Sequence, residues 1–323
     1  MNDHHTPIGI LALAITVVFL AARYFRSSGR RALPGRGWFG LGIILCAEVV
    51  LALHWNDLFP WDGFAIFLTP IVWSGFLLLI DALVWTLDGI SLMSPSPRRF
   101  WFLAAWSVPL WLIFEAYNLR LESWTYVGLP GNPWVSGLGY AWSFATIWPA
   151  IFETADFVHA LGIFKGRRKS SFVLSASSRV SLSLCGLLMV TLPVLVPYEL
   201  GRYLFGAIWV GFVFMLDPVI HHWQGQSFLR ELERGESSIL WSFFLGGAVC
   251  GILWEFWNYW AAAKWLYVFP IGQGSKVFEM PLLGYLGFPA FALECRVMYE
   301  FLRSLKNQLL KLRASYTLEG AKW

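Results

Sequence analysis

The chain has 323 residues, of which 57% are hydrophobic and only 14% are charged, whereas a soluble domain usually carries about 25% charged residues. The net charge of +4 does not indicate a nucleic-acid partner, because the basic residues cluster where membrane topology places them. Apolar blocks of roughly 17–25 residues are long enough to cross a bilayer core about 30 Å thick. The composition therefore predicts an all-α, polytopic helical membrane protein. A soluble helical protein would need polar helix faces, which most of these blocks lack.

The apolar blocks predict about nine transmembrane helices. The first runs roughly from Pro7 to Ala22, and we interpret it as a retained helix because it lacks a preceding basic residue and a clear cleavage site. The other eight lie near 38–55, 64–87, 100–118, 139–163, 180–197, 203–221, 239–260 and 283–302. The tail from Arg303 is basic and amphipathic, which indicates a helix at the membrane surface.

The distribution of basic residues predicts the orientation of the chain. With the N-terminus outside and the C-terminus in the cytoplasm, all but five of the Lys and Arg residues fall on the cytoplasmic side, as the positive-inside rule requires. We therefore expect a multi-pass protein of the inner (cytoplasmic) membrane. The sequence leaves its oligomeric state open.

The chain also carries an internal repeat. An offset of 136 gives six identities in 19 columns without a gap, and an offset of 140 or 141 extends the match. The matched pairs include Trp73–Trp209, Asp81–Asp217, Glu115–Glu255, Asn118–Asn258, Trp124–Trp265 and Tyr126–Tyr267. The predicted divisions are 1–36 (first helix and basic linker), 37–164 (first four-helix repeat), 165–179 (basic linker), 180–302 (second four-helix repeat) and 303–323 (basic tail).

The repeat predicts where a site should lie. Because four is an even number, the two units have the same orientation and should be related by a pseudo-twofold axis along the membrane normal. A ligand or substrate site is then expected at the interface between the units.

One aromatic stretch surrounds an acid. Glu255 and Asn258 lie within a run of aromatic residues that contains Trp254, Trp257 and Trp260. Aromatic faces around a carboxyl suit a cationic or polyene guest, because the ring quadrupole stabilises positive charge, and a carboxyl that keeps its proton there could act as a general acid. The predicted catalytic residues are Glu115, Glu255, Glu153 and Glu294, and the predicted substrate-binding residues are Asn118, Asn258, Trp254, Trp257, Trp260, Trp124, Trp265, Tyr126 and Tyr267.

Structural roles are open for the same acids. An ionisable residue within a span is a functional hypothesis by default, yet Glu115 and Glu255 could also pin neighbouring helices through a buried hydrogen bond, for example to the asparagine one turn on. Asp81 and Asp217 could accept hydrogen bonds from the segment that follows each span. Asp217 and His221 share a helix face and could hold a metal or relay a proton, although no third ligand stands at a diagnostic spacing.

The sequence offers no motif for a cofactor. We find no P-loop, no GxSxG, no GxGxxG in a strand–helix setting and no HExxH. The four cysteines have no CxxC spacing and are expected to be free thiols. We therefore predict no cofactor and no metal.

Two stretches resemble the membrane lycopene cyclase domains and, more loosely, the small transmembrane terpene cyclases. Each combines a tryptophan–aromatic segment with a proline that an acid follows on a helix, and the stretches are Trp124-Thr125-Tyr126 to Trp148-Pro149-Ala150-Ile151-Phe152-Glu153 and Trp265-Leu266-Tyr267 to Phe288-Pro289-Ala290-Phe291-Ala292-Leu293-Glu294. The resemblance implies Glu153 and Glu294 as candidate acids. That family has paired acids two residues after the proline and neither stretch has this pair, while the units here have four helices each.

The functional expectation is an integral membrane protein that binds an isoprenoid or other membrane lipid between its repeats. It could be an acid-catalysed cyclase or isomerase of the carotenoid or terpenoid type. The alternatives are a proton- or cation-coupled transporter and a non-catalytic membrane assembly partner.

Overall fold

The computed structural model describes residues 6–58, 61–166 and 173–320. Part of the second predicted linker (167–172) and the last three residues of the predicted tail lie outside these ranges. The α-helices of the described residues are α1 (Thr6–Arg26), α2 (Gly35–Trp55), α3 (Asp62–Ile66), α4 (Leu68–Asp88), α5 (Arg98–Leu121), α6 (Pro133–Ala160), α7 (Ala176–Leu195), α8 (Tyr198–Gly201), α9 (Phe205–His222), α10 (Phe228–Glu233), α11 (Ser238–Trp260) and α12 (Gly287–Gly320).

Among the described residues, seven helices are long and apolar enough to cross a membrane, namely α1, α2, α4, α5, α7, α9 and α11. The prediction of a helical multi-pass membrane protein is confirmed at this level. The count of nine is not confirmed, because α6 and α12, which cover the predicted spans near 139–163 and 283–302, are not among the seven. The last helix also continues without a break to Gly320, so the predicted basic tail extends α12 instead of forming a separate helix.

Glycines allow two helix pairs to approach closely. A Cβ atom on Gly40 of α2 would lie 2.5 Å from the carbonyl oxygen of Gly75 in α4, and a Cβ atom on Gly186 of α7 would lie 2.6 Å from the carbonyl oxygen of Gly211 in α9. Small residues at helix interfaces let backbones come together in membranes, where packing drives helix association. Gly75 and Gly211 are a matched pair of the repeat, so the two contacts correspond.

The remaining helix contacts follow the same order in each half of the chain. In the first half α4 and α5 both pack on α6, and in the second half α9 and α11 both pack on α12. Helix α6 also packs along α11 and so joins the halves, while α1 packs against α11. The buried core between these helices is rich in large aromatic side chains such as Trp73, Trp148 and Phe114.

Within the described ranges, four short strands lie between the helices, and the prediction of helices alone did not include them. β1 (Trp124–Val127) follows α5 and pairs antiparallel with β2 (Lys264–Tyr267), which follows α11. β3 (Lys276–Val277) pairs with β4 (Met280–Pro281), and a 3₁₀ helix (Leu282–Leu286) leads into α12. We call the end of the bundle that carries β1 and β2 the strand end.

The four cysteines, Cys46, Cys185, Cys250 and Cys295, are free thiols, as the sequence predicts.

Candidate functional site

Two asparagines hold the strands to the helices that precede them. Oδ1 of Asn118 accepts from the N–H groups of Ser123 and Trp124 at 2.8 and 3.0 Å, and its Nδ2 donates to the Trp124 carbonyl at 2.9 Å. Asn258 makes the corresponding bonds to the N–H and carbonyl of Trp265 at 3.0 and 2.9 Å. Each side chain thus satisfies backbone groups in the turn after its helix. Both asparagines were predicted to bind substrate, but the geometry gives them a positioning role.

This anchoring places a tyrosine two residues after each anchored tryptophan, against an acid of the preceding helix. The Tyr126 hydroxyl donates to Oε1 of Glu115 at 2.5 Å, and the Tyr267 hydroxyl donates to Oε1 of Glu255 at 2.9 Å. The indole of Trp111 donates a second hydrogen bond to Glu115 at 2.8 Å. The partner of each acid is therefore a tyrosine across the helix–strand turn, instead of the asparagine one turn on.

The second tyrosine–acid pair is the more buried one. Glu255 is fully buried, and its Oε2 atom has no hydrogen-bond partner among the residues that the structure describes. The indole N–H of Trp265 donates to the Tyr267 hydroxyl at 2.8 Å. Trp265, Tyr267 and Glu255 thus form a chain of hydrogen bonds that ends on the carboxyl.

Both phenols stay neutral at physiological pH. Burial, followed by the charge of Glu115, raises the pKa of Tyr126 well above its usual range. Burial and then the charge of Glu255 do the same to the pKa of Tyr267. Each hydroxyl therefore keeps its proton and donates a hydrogen bond to the acid behind it.

A cavity of about 450 Å³ lies beneath the strand pair, between the two halves of the chain. It is lined mainly by apolar and aromatic side chains from α4, α5, α6, α9, α11, α12 and the strands. Three of the matched pairs contribute both members, namely Trp73 with Trp209, Trp124 with Trp265 and Tyr126 with Tyr267. The cavity is therefore lined in a matched way by both halves.

The structure brings five of the predicted site residues to the cavity wall. Trp124, Tyr126, Trp254, Trp265 and Tyr267 line it. The two acids that the tyrosines contact lie one hydrogen bond behind this wall. Glu255 thus reaches the cavity through the Tyr267 phenol, and Glu115 reaches it through the Tyr126 phenol and the Trp111 indole.

Two predicted tryptophans lie elsewhere. Trp257 donates its indole N–H to Oε1 of Glu48 at 2.8 Å and packs edge-on against Trp73, with ring centroids 5.1 Å apart. Trp260 and its neighbour Tyr259 line a separate open groove against α1. The three tryptophans of the run thus have different surroundings, because side chains at different positions of a helix point in different directions. Trp254 lines the cavity, Trp257 contacts Glu48, and Trp260 lines the groove against α1.

Glu153 and Glu294, the acids implied by the cyclase resemblance, are not among the residues that line the cavity. Glu153 is fully buried and accepts from the N–H of Leu92 at 3.3 Å. Glu294 is also fully buried, and within the described ranges neither of its carboxyl oxygens has a hydrogen-bond partner, although the backbone amide of Phe212 interacts with it electrostatically. The two acids differ by one step in the repeat alignment, which rotates a side chain by about 100° around a helix.

The aspartates at the other end of the bundle have structural partners. Asp217 accepts from the N–H groups of Phe228 and Leu229 at 2.8 and 2.9 Å, and Asp81 pairs with Arg36 at 2.7 Å and accepts from the N–H of Met93 at 2.9 Å. These contacts match the structural interpretation of this pair. The partner of His221 is Glu233, at 2.7 Å, and not Asp217. No group of three His, Cys, Asp or Glu side chains within the described ranges could hold a metal ion.

Several cavity residues were not assigned to the site from the sequence. Trp73 and Trp209 form a matched pair of the repeat. Since the site was expected at the interface between the two units, this pairing could have indicated that both line it. Trp111, Arg202 and Lys264 also line the cavity. Sequence gave no signal for these three, because interfacial Trp, Arg and Lys are common in any membrane protein.

Comparison of the chain with protein-family models, with curated proteins and with solved structures gives no significant match.

Proposed function

We propose that the chain is one leading helix followed by two four-helix units related by a pseudo-twofold axis, with α6 and α12 as its remaining spans. The strand pair supports this, because its register joins Trp124 to Tyr267 and Tyr126 to Trp265. Trp124 thus pairs with the repeat counterpart of Tyr126, and Tyr126 pairs with the repeat counterpart of Trp124. A twofold axis through the strand pair produces this exchange. The matched bonds of the two asparagines and the two tyrosines add further support.

On this scaffold, the protein binds an isoprenoid or another elongated apolar lipid in the cavity between its halves. The observation that carries the proposal is the aromatic cavity of about 450 Å³ lined by matched residues of both halves. A volume in this range is typical of small-molecule sites, which are concave and mostly apolar with a few polar groups that orient the ligand. The two tyrosine hydroxyls are such groups.

The tyrosine–acid pairs extend the proposal to proton transfer. A protonated Glu255 can donate its proton to the Tyr267 oxygen while the Tyr267 hydroxyl passes its own proton to a double bond of the guest, which reverses the hydrogen bond of the resting pair. This transfer leaves a carboxylate on Glu255, a neutral phenol on Tyr267 and a carbocation on the guest. The surrounding ring faces stabilise that positive charge. Return of the proton from a neighbouring carbon completes an isomerisation or a cyclisation without net consumption of protons. Tyr126 and Glu115 form the corresponding pair of the first half.

Lipid binding is tested by filling the cavity. Gly206 lines it, and a Cβ atom on this residue would meet nothing within 4 Å, so Gly206→Phe adds a ring without a backbone clash. We expect the purified variant to lose the co-purifying lipid that mass spectrometry detects in the wild type. The control is Gly42→Phe, where an added Cβ also meets nothing within 4 Å but which lies on α2 away from the cavity. Equal lipid content in both variants would remove the binding proposal.

The chemical step is tested separately. Glu255→Gln and Glu115→Gln keep the size of the side chain and remove the acid. We expect membranes that contain these variants to bind the lipid and to lose its conversion, measured by chromatography of extracted lipids. Full conversion by both variants would exclude acid catalysis at these pairs, and loss of folding without any detectable conversion in the wild type would favour a non-catalytic assembly role.

One observation favours proton-coupled transport as a second candidate function. Glu294 is fully buried outside the cavity, and neither carboxyl oxygen has a hydrogen-bond partner in the described part of the chain. Ionisable residues inside membranes commonly mark proton pathways. In this function Glu294→Gln would abolish proton flux into liposomes while leaving lipid binding intact. Wild-type liposomes without such flux would rule the function out.

A further inference from the structure

The cavity wall offers hydrogen-bond donors that no residue in the described part of the chain uses. The indole Nε1 atom of Trp73 and the Nε atom of Arg202 are buried and have no hydrogen-bond partner there, and both residues line the cavity. The hydroxyl of Thr69, which also lines it, has no partner among the described residues either. Buried donors left without an acceptor are costly. A ligand that supplies acceptor oxygens would satisfy them.

Arg202 adds a positive charge without a carboxylate partner. Among the described residues, its guanidinium forms no ion pair. Its Nη2 donates to the carbonyl oxygen of Val268 at 3.1 Å, and the guanidinium lies over the ring of Tyr198, 5.2 Å from the centroid. Glu122, the acid in contact with that ring, already accepts from the Tyr198 hydroxyl at 2.6 Å. The charge of Arg202 therefore remains available at the cavity wall.

The second cation of the wall is already compensated. Lys264 lines the cavity, but its Nζ lies 2.6 Å from Oε1 of Glu279 and donates to the carbonyl of Tyr259 at 3.2 Å. Arg202 is thus the cation of the wall that an anion can pair with directly.

The charge is also confined to one half of the chain. The offset of 136 that matches Trp73 with Trp209 places Ile66 opposite Arg202, and Ile66 lines the cavity too. The aromatic wall is matched between the halves, whereas its charge is not. A ligand with one charged end and one apolar end would therefore bind in a single orientation.

We propose that the guest is an amphiphile with an anionic headgroup, a phosphate or a carboxylate, which Arg202 binds while the unused indole and hydroxyl donors contact its oxygens. The apolar tail occupies the aromatic part of the cavity. The inference rests on the proposed lipid-binding function and adds the chemical class of the ligand. Arginine suits this role because its planar donors match the oxygens of phosphate and carboxylate groups.

The test compares probes that share one tail and differ in the head. Farnesyl phosphate, farnesoic acid and farnesol are titrated into the full chain in nanodiscs of phosphatidylcholine, with tryptophan fluorescence as the signal and inorganic phosphate as a headgroup-only arm. We expect the wild type to bind both anionic probes about 10-fold or more tightly than farnesol, as hydrogen bonds to charged groups predict. Inorganic phosphate alone should not saturate the signal, because it lacks the tail.

The variants separate Arg202 from a general effect of charge at the membrane surface. Arg202→Gln should remove the preference for anionic probes, so that they bind about as tightly as farnesol, whereas Arg202→Lys should retain part of the preference. The matched control is Arg120→Gln. Arg120 also lies over the Tyr198 ring, at 5.8 Å, and donates to a backbone carbonyl, that of Val196, at 3.2 Å, but it does not line the cavity.

The possible results distinguish an error in the proposed headgroup from an error in the proposed lipid-binding function. If the wild type binds farnesol as tightly as the anionic probes, or if Arg202→Gln keeps the preference, the anionic headgroup is wrong while lipid binding stands. The same conclusion follows if Arg120→Gln abolishes the preference as fully as Arg202→Gln does. If no farnesyl probe binds at all, the proposed lipid-binding function itself fails.

Discussion

Replacing Asn258 with alanine tests whether the asparagines hold the strand pair in place. Asn258 is fully buried and makes two hydrogen bonds to the backbone of Trp265, at 2.9 and 3.0 Å. Its removal leaves a backbone N–H and a carbonyl without their partner, and each such loss in a buried site costs about 1–3 kcal/mol. We therefore expect the free energy of unfolding to fall by about 2–6 kcal/mol, which is a large share of the stability of a typical protein.

The measurement is reversible unfolding of the detergent-solubilised chain in guanidinium chloride, followed by tryptophan fluorescence. The control is Asn56→Ala, because Asn56 makes one side-chain hydrogen bond, to the carbonyl of Ala52 at 2.7 Å, in an exposed position. Exposed substitutions of this kind change stability by about 0.5 kcal/mol or less. If Asn258→Ala cost no more than this control, the anchoring role of the asparagine would be refuted.

Three further predictions concern the acid pair, the pH response and helix packing. Tyr267→Phe removes the donor to Glu255 but keeps the ring, so lipid binding should persist while conversion slows at least about 10-fold; unchanged conversion would contradict the relay. Burial raises the pKa of Glu233, but hydrogen bonds from a histidine and a backbone N–H outweigh this effect and lower it. The stability that ionised Glu233 contributes to the fold is therefore complete above about pH 4.3 and is lost as the pH falls further. Glu233→Gln should lose less folding stability at acid pH than the wild type, and an equal loss in both proteins would refute this. Gly186→Val places a Cβ atom 2.2 Å from the backbone of α9, so the free energy of unfolding should fall by about 1–3 kcal/mol or more. At Gly42 an added Cβ atom meets nothing within 4 Å, so the stability of Gly42→Val should match that of the wild type.

Hydropathy predicted the helical membrane class of the chain, and the internal repeat drew attention to the residues of the candidate site. Long apolar helices follow from composition alone, because insertion into a bilayer depends on the local run of side chains. The two asparagines and the two tyrosine–acid pairs were visible as repeated residues. Repetition at matched offsets identified them before any contact between them was known.

The predicted spans near 139–163 and 283–302 are segments where hydropathy does not identify a membrane-spanning helix. Helices α6 and α12 form there, but buried acids such as Glu153 and Glu294 interrupt their apolar surface. Such helices are sheltered by their neighbours, so their stability depends on tertiary packing more than on the hydropathy of the segment.

The sequence by itself determined that the chain is a helical membrane protein and which residues recur in its two halves, because both properties reside in local composition and in linear spacing. Only the tertiary structure decided that a tyrosine, and not an asparagine, contacts each repeated acid, and that Glu153 and Glu294 do not line the cavity. It also decided that Arg202 lines the cavity, as does Ile66, its counterpart in the repeat alignment. The physical reason is that the face a side chain presents depends on the rotation of its helix, and this rotation is set by the packing of neighbouring helices.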